Sequence, residues 1–455
     1  MTICGLDFGT SNSTVGVIKN DNNVMVPLER DSAGHWQTTL PSALFFDFES
    51  DQIEFGRHAI RQYTTGCAGR LMRSMKNLLG SSYMSDKTQV KNRFYTYDEI
   101  VGFFVETLKK QAEEFLGSES PGLASVVIGR PVYFNDDDPA LDKAAENHLA
   151  DIARLAGFSE VSFQYEPIAA ALDYEQQVTS EELALIIDIG GGTSDFTLIR
   201  LSPQRHMQTD RRDDFLGNHG IHLGGTDFDR RLSMKSVMPQ FGLGERMKDR
   251  PTLAMPSNYY FELATWHRIH LLYERSVLME LDNFRQQLQN RAPLEKLIQL
   301  LKRHKGHHLA ALVEQAKIDL STSAETTVEL NQLFHDDSNN QRSNQTSSQT
   351  SSQTSSQTSN KPASETASCR LSQEQLQQSL QTDIDNIFEA LNVTLKQAGL
   401  THTQIDTVFT TGGSTALPVV KACITDAFPQ AQLVGGDLYN SVGSGLLMEA
   451  RKRYK

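Results

Sequence analysis

The chain has 455 residues, enough for more than one typical domain and for a sizeable core. Its 43 Lys and Arg against 56 Asp and Glu leave a net charge of −13, which excludes a broad nucleic-acid-binding or anionic-membrane surface, so an anionic ligand has to be caught locally. The cysteines Cys4, Cys67, Cys369 and Cys423 include no close pair, which argues against a disulfide framework or a cysteine zinc site and for a reducing compartment.

The N-terminal MTICGLDFGT carries neither a basic stretch nor a long apolar core before Asp7. No run of about 18 apolar residues follows, so neither secretion nor a membrane span is expected. The location expected is cytoplasmic, and the sequons at Asn12, Asn344 and Asn392 are chance matches. Ile3 opens ICGLDFGTSNSTVGVI, which reads as strand, tight turn and returning strand. Cys67 has no evident base to activate it. Arg70, Arg73 and Lys76 have the spacing of a basic stripe on a helix, ordinarily a solvated face. Then SVVIGRPVYF, AENHLADIARLAGF, VSFQYEPIAAALDY and LALIIDIGGG alternate apolar runs with helical patterns, which defines an α/β class.

Apolar spacings of three and four through residues 258 to 320 predict a helical arm. His304, His307 and His308 sit there in a basic turn without a nearby carboxylate and are expected at the surface. Residues 336–368, nearly all Asp, Ser, Asn, Gln and Thr with a QTSS repeat, have too little apolar content to order and are expected to form a disordered insert. A strand before it and an amphipathic helix after it place the insert inside a lobe. A third glycine turn, Gly412, Gly413, Ser414 and Thr415, follows the strand DTVFTT and precedes a helix, the setting of an anion site.

Compared with itself, the chain repeats one phrase: ICGLDFGTSNSTVGVI from Ile3 and LIIDIGGGTSDFTLI from Leu185. Aligning Asp7 with Asp188 also aligns Gly9 with Gly190, a single offset of 181 residues (188 minus 7), the mark of two duplicated halves. Glycine lets backbone approach an anion, amides and hydroxyls donate to phosphate oxygens, and a strand-end Asp suits a hydrated magnesium ion. One such turn would be an ordinary hairpin; two matching ones favour phosphate binding. No GxxxxGK[ST] or strand-borne GxGxxG occurs, so neither a P-loop nor a dinucleotide fold is expected.

GLDFGTSNS, SMKNLLG, YEPIAAALDY, IIDIGGGTSDFTLI, HLGGTDFD, VEQAKIDLSTS and TTGGSTALP occur in the order found in the heat shock protein 70 family. The chain thus resembles that family, in particular its short DnaK-like, YegD-type chaperones, over nearly its whole length apart from the insert and parts of the helical arm. The resemblance implies an actin-like ATPase fold of two duplicated ribonuclease H-like halves with helical insertions. The expected division is a lobe over 1–174 and a second over 175–455, the latter including the helical arm 240–320 and the insert 336–368, with no peptide-binding domain.

On matching positions, the resemblance implies that Gly9, Thr10, Ser11 and Asn12 cradle phosphates, with Gly190, Gly191, Gly192, Thr193, Gly224, Gly225, Gly412, Gly413 and Ser414 closing from the other half. It implies Asp7 and Asp188 as magnesium carboxylates, Lys76 as the contact to the γ phosphate and attacking water, Glu166 as the lobe-coupling glutamate, Pro167 as the switch proline, and Glu314, Lys317 and Ser321 as ribose and base contacts. Ile318 and Ala416 stand where the family has adenine-stacking arginines, so weak affinity or relaxed base choice is expected. The implied function is slow ATP hydrolysis with Lys76, Glu166, Asp188 and Thr193 as reaction residues, ATP or ADP and Mg2+ as cofactors, and a protein client or co-chaperone as partner. The alternative is a non-hydrolysing nucleotide-dependent interaction module. A small-molecule kinase fits less well, since the phrases follow chaperones.

Overall fold

Near-continuous apolar runs such as ICGL and LALII suit strands covered on both faces, and the computed structural model builds its two main sheets from them. It describes residues 2–31, 33–79, 87–118, 120–135, 138–175, 178–206, 208, 211–334, 368–435 and 441–454. Nearly all of the 336–368 insert therefore lies outside the described residues; Ser368 begins a strand.

The first sheet holds β1 (Thr2–Phe8), β2 (Asn12–Lys19), β3 (Asn22–Met25), β4 (Leu123–Arg130) and β5 (Glu160–Tyr165) in the order β5-β4-β1-β2-β3, with a sixth, short strand Thr39–Pro41 also pairing with β2. The second holds β6 (Glu182–Ile189), β7 (Ser194–Leu201), β8 (Phe215–Ile221), β9 (Thr407–Thr411) and β10 (Gln432–Gly435) in the order β10-β9-β6-β7-β8. In each, the leading hairpin is antiparallel and the two strands beyond its first member run parallel to it. The sequence repeat is thus a repeat of topology.

Three helices matter for the site: α1 (Tyr97–Leu116), α2 (Pro139–Leu155) and α3 (Glu166–Glu175). A capping box at Thr96 and Glu99 starts α1, and Asp138 caps α2 ahead of Pro139. Strand alternation sends Leu6 and Phe8 into a core with Val15, Val17, Phe104, Leu108 and Leu149. Ile3 and Val127, on the opposite face, pack with Ala169 of α3 and with Val442 and Leu446 of the helix Ser441–Tyr454. Ile168, Ala171 and Leu172 of α3 meet Ala184, Ile186 and Phe409 of the second sheet, so α3 is shared by both halves. Gly5 and Gly445 permit the closest approaches here: a Cβ on Gly5 would lie 2.2 Å from the Leu447 nitrogen, and one on Gly445 would lie 1.9 Å from the Ala169 oxygen.

Two compact units emerge, Met1–Phe228 with Gln381–Lys455, and Asp229–Leu380. Both sheets belong to the first unit, and the boundary expected near residue 174 falls inside it. The second unit is mainly helical, with Asn258–Leu263, Arg275–Gln287, Ala292–Lys302 and Gly306–Asp319, and with a hairpin of Glu325–Glu329 against Ser368–Ser372. His307 is a correction to the surface reading: it is 5% exposed. Its Nε2 lies 3.0 Å from the Trp266 carbonyl and its ring meets the Trp266 ring edge-on, so hydrogen bonding and stacking outweigh the polar composition of its turn. Among the described residues, no helix is long and apolar enough to cross a membrane.

Candidate functional site

Asp7 is the penultimate residue of β1 and Asp188 that of β6, each on the strand face turned toward α3. Directly across their hairpins stand Thr14 and Asp195 respectively. Burial pushes the Asp7 carboxyl up to about 7, with the Glu166 carboxylate adding to the rise and Lys76 opposing it. Asp188 is also pushed up to about 7, by burial first, then by Asp195 and Glu166, again against Lys76, with a further rise from Asp7. The carboxylates therefore lie in one field.

Lys76 answers that field. Its Nζ donates to Glu166 Oε1 at 2.6 Å, with both side chains largely buried. Burial alone would lower the Lys76 pKa, but Glu166, Asp7 and Asp188 outweigh it and hold the ammonium in its charged form. The helical stripe expected for Arg70, Arg73 and Lys76 is a further correction. Arg70 and Arg73 lie on the strand Gly69–Arg73, opposite Phe46 and Ala43, and Lys76 lies in the short helical turn Met75–Leu78. Strand pairing overrides the spacing of three, and Ser74, at φ 56°, turns the chain toward the site.

The glycine turns converge around these charges. A Cβ on Gly9 would sit 2.1 Å from the Asn12 oxygen, and one on Gly191 would sit 1.9 Å from Ser11 Oγ, so the first and second hairpin turns touch. Thr10 lies between them at the tip of the first turn. The Gly190 amide donates to the Thr193 oxygen at 2.9 Å, which closes the second turn around Gly192. Gly224 abuts Gly190, Gly191 and Gly192, and its amide donates to Asp227 Oδ2 at 3.0 Å. The Gly225 amide donates to the Gly190 oxygen at 2.9 Å. Gly224 and Gly225 thus contribute room and rigidity, since these amides serve the turn itself. Gly412, at φ 78°, brings the third turn against Ile189 and the Asp188 carboxylate; Gly413 follows, and Ser414 Oγ donates to the Gly190 oxygen at 3.3 Å.

Supporting residues were invisible to motif reading. Ser42 Oγ donates to the Gly9 oxygen at 2.6 Å and bonds Ser13 Oγ at 3.0 Å, bracing the first turn from 33 residues away. Thr193 Oγ1 donates to Asp195 Oδ2 at 2.9 Å. Asp195 lines a small cavity beside Asp188 with Glu166, Pro167, Thr197, Asn218 and Thr411. It stood in the repeated phrase, and pairing that hairpin would have set it opposite Asp188.

Glu314, Lys317 and Ser321 belong to the second unit. Lys317 Nζ lies 2.9 Å from both carboxylate oxygens of Asp229. The Ser321 amide bonds the Ile318 oxygen at 3.0 Å, while the Ile318 side chain is 51% exposed. Ala416 closes the turn after Gly413 in the first unit.

Two sheets of one topology, each ending its first strand in a carboxylate beside a glycine turn, form the actin-like ATPase fold. The family model described as "Hsp70 protein" matches residues 3–250 and 306–445, and the chain belongs to that family. The chaperone protein DnaK of Thermosipho melanesiensis is 34% identical over 233 residues, covering 50% of this chain and 35% of its own. Those of Thermosipho africanus and Thermotoga neapolitana are 33% and 32% identical over 231 and 232 residues, with 50% of this chain covered in each case and 34% and 35% of theirs. The chain spans about a third of the length of these relatives.

Proposed function

We propose that this chaperone-like chain binds ATP or ADP with Mg2+ in the glycine cradle and hydrolyses ATP slowly, with closure of its lobes as the output. The observation that carries this is the meeting of the glycine turns around Asp7 and Asp188, both raised to about 7. Carboxyls forced up by burial and mutual repulsion fit a divalent cation, which would relieve both effects.

Among the described residues, no group of three or more His, Cys, Asp and Glu gathers as a cage. Asp7 and Asp188 would therefore hold the ion with water and phosphate oxygens completing its shell. Bound magnesium would neutralise phosphate charge. Residues around Gly9 to Asn12 and Gly190 to Thr193 would hold the phosphates, and Gly412 to Ser414 would close the cradle. Lys76, moving from Glu166 to the terminal phosphate, would orient the attacking water beside Asp188 and Thr193. Glu314, Lys317 and Ser321 would serve ribose and base. Phosphate release by purified protein with ATP and magnesium tests this; none above background, even with added client or co-chaperone, would overturn it.

Ile318 favours the second reading, a non-hydrolysing interaction module, because an apolar side chain stands where the family stacks a guanidinium on the base. Nucleotide-dependent binding of a partner without phosphate release would select it. A client or co-chaperone as partner rests on family membership, and a cytoplasmic setting on cysteine usage.

A further inference from the structure

We propose that Arg211 is a positioning residue for this site: by gripping Glu175, the last residue of α3, it sets where Glu166, the first, meets Lys76. The inference rests on the reading of Lys76 and Glu166 as reaction residues.

Arg211 Nη1 and Nη2 donate to Glu175 Oε2 and Oε1 at 2.8 and 2.7 Å, a bidentate fork, and its Nε donates to Asp214. All three side chains are almost fully buried. The cluster is braced outward, since Arg205 also donates to Asp214 and both Arg205 and Arg200 pair with Glu181. The Ser202 amide donates to Glu175 Oε1 at 3.3 Å. A buried ion pair contributes little net stability compared with apolar residues of the same volume. A two-pronged guanidinium, however, fixes a carboxylate in position and orientation as a point charge cannot.

The helix between the two ends transmits that placement. Ten residues at about 1.5 Å rise put the ends roughly 14 Å apart, and a hydrogen-bonded helix is stiff along its axis. Its middle is held by apolar packing of Ile168, Ala171 and Leu172 and by the close approach of Ala169 to Gly445, contacts that, unlike the fork at Glu175, carry no charge and no fixed hydrogen-bond direction. The Lys76–Glu166 bond at 2.6 Å depends on both distance and angle, and so on where the first residue of α3 is set. A slide permitted at Glu175 is therefore felt at Glu166.

Glu175→Gln keeps the shape and removes the charge, whereas Arg211→Lys keeps the charge and removes the fork. In both, kcat for ATP hydrolysis should fall about tenfold while KM for ATP changes less than about twofold. Independently, acylation of Lys76 by a small activated ester, read by mass spectrometry, should rise about threefold or more relative to Lys109, approaching the rate in Glu166→Gln. Lys109 pairs with Glu113 at 2.7 Å on α1, so general loosening would raise both lysines. An unchanged Lys76 to Lys109 ratio in folded Glu175→Gln and Arg211→Lys overturns the proposal. Labelling needs no turnover, so a wild-type protein without ATPase activity would sink the functional reading and leave this comparison decidable.

Discussion

Lys76 reaches Glu166 across 90 residues of sequence, and the 2.6 Å contact ties the Met75–Leu78 turn to the first residue of α3. Removing this amine should reduce phosphate release at least about a hundredfold while leaving nucleotide affinity within a few-fold, since on the proposed reading the glycine turns would carry most of the phosphate contacts. Phosphate-release kinetics of Lys76→Ala beside fluorescent-nucleotide titration check this; unchanged turnover refutes the role of Lys76.

The raised carboxyls predict a pH signature. A carboxyl whose pKa is higher folded than unfolded stabilises the fold while protonated. That contribution is complete below the unfolded value of about 3.9 and is lost as pH climbs through the folded value, about 7 for Asp7. Without nucleotide or divalent cation, Asp7→Asn should therefore gain melting temperature over wild type as pH rises from about 4 to 7, and hold a level difference above that. The gap should correspond to a few kcal/mol. A constant difference across the range would contradict the assignment of Asp7 as a strained carboxylate.

Gly191, placed in the cradle by the proposed reading, and Gly445, packed against backbone, should respond differently to substitution. A Cβ on Gly191 meets the movable Ser11 Oγ, whereas one on Gly445 meets the Ala169 backbone oxygen. Gly191→Ala should melt within about 2 °C of wild type and bind nucleotide about tenfold or more weakly. Gly445→Ala should lose several degrees, in the range of about 1 to 3 kcal/mol. Thermal melts with and without ATP distinguish the two.

Exposure of the Ile318 side chain leaves room for a cation at that position. Ile318→Arg should tighten ATP binding about 2- to 30-fold and raise preference for ATP over GTP, the range expected of one stacked guanidinium. Calorimetry with both nucleotides measures it; no change in either would place the base elsewhere.

The repeated hairpins could be read from sequence because each side of the duplication lies in one short segment, with Asp and Gly at fixed distance from an apolar run. Family phrases likewise pointed to Lys76 and Glu166, which sit together in the fold. Contacts between distant segments had no local signal: Ser42 under Gly9, Asp229 on Lys317, and Arg211 on Glu175. Arg70 and Arg73 misled because a spacing of three suits a helix face, and only pairing with Ala43–Asp47 makes that segment a strand. His307 misled because its turn is basic and polar while its ring is inserted between Trp266 and Tyr273.

The two hairpins match in geometry and differ in chemistry: Asp7 faces a hydroxyl in Thr14, whereas Asp188 faces a second acid in Asp195. Duplication has left a near-symmetric vessel with an unequal electrical polarity. The inequality is one of charge and not of backbone: the second hairpin sets one more acid in register than the first, and Asp195 adds to the rise of Asp188 while Thr14 carries no charge to do the same for Asp7.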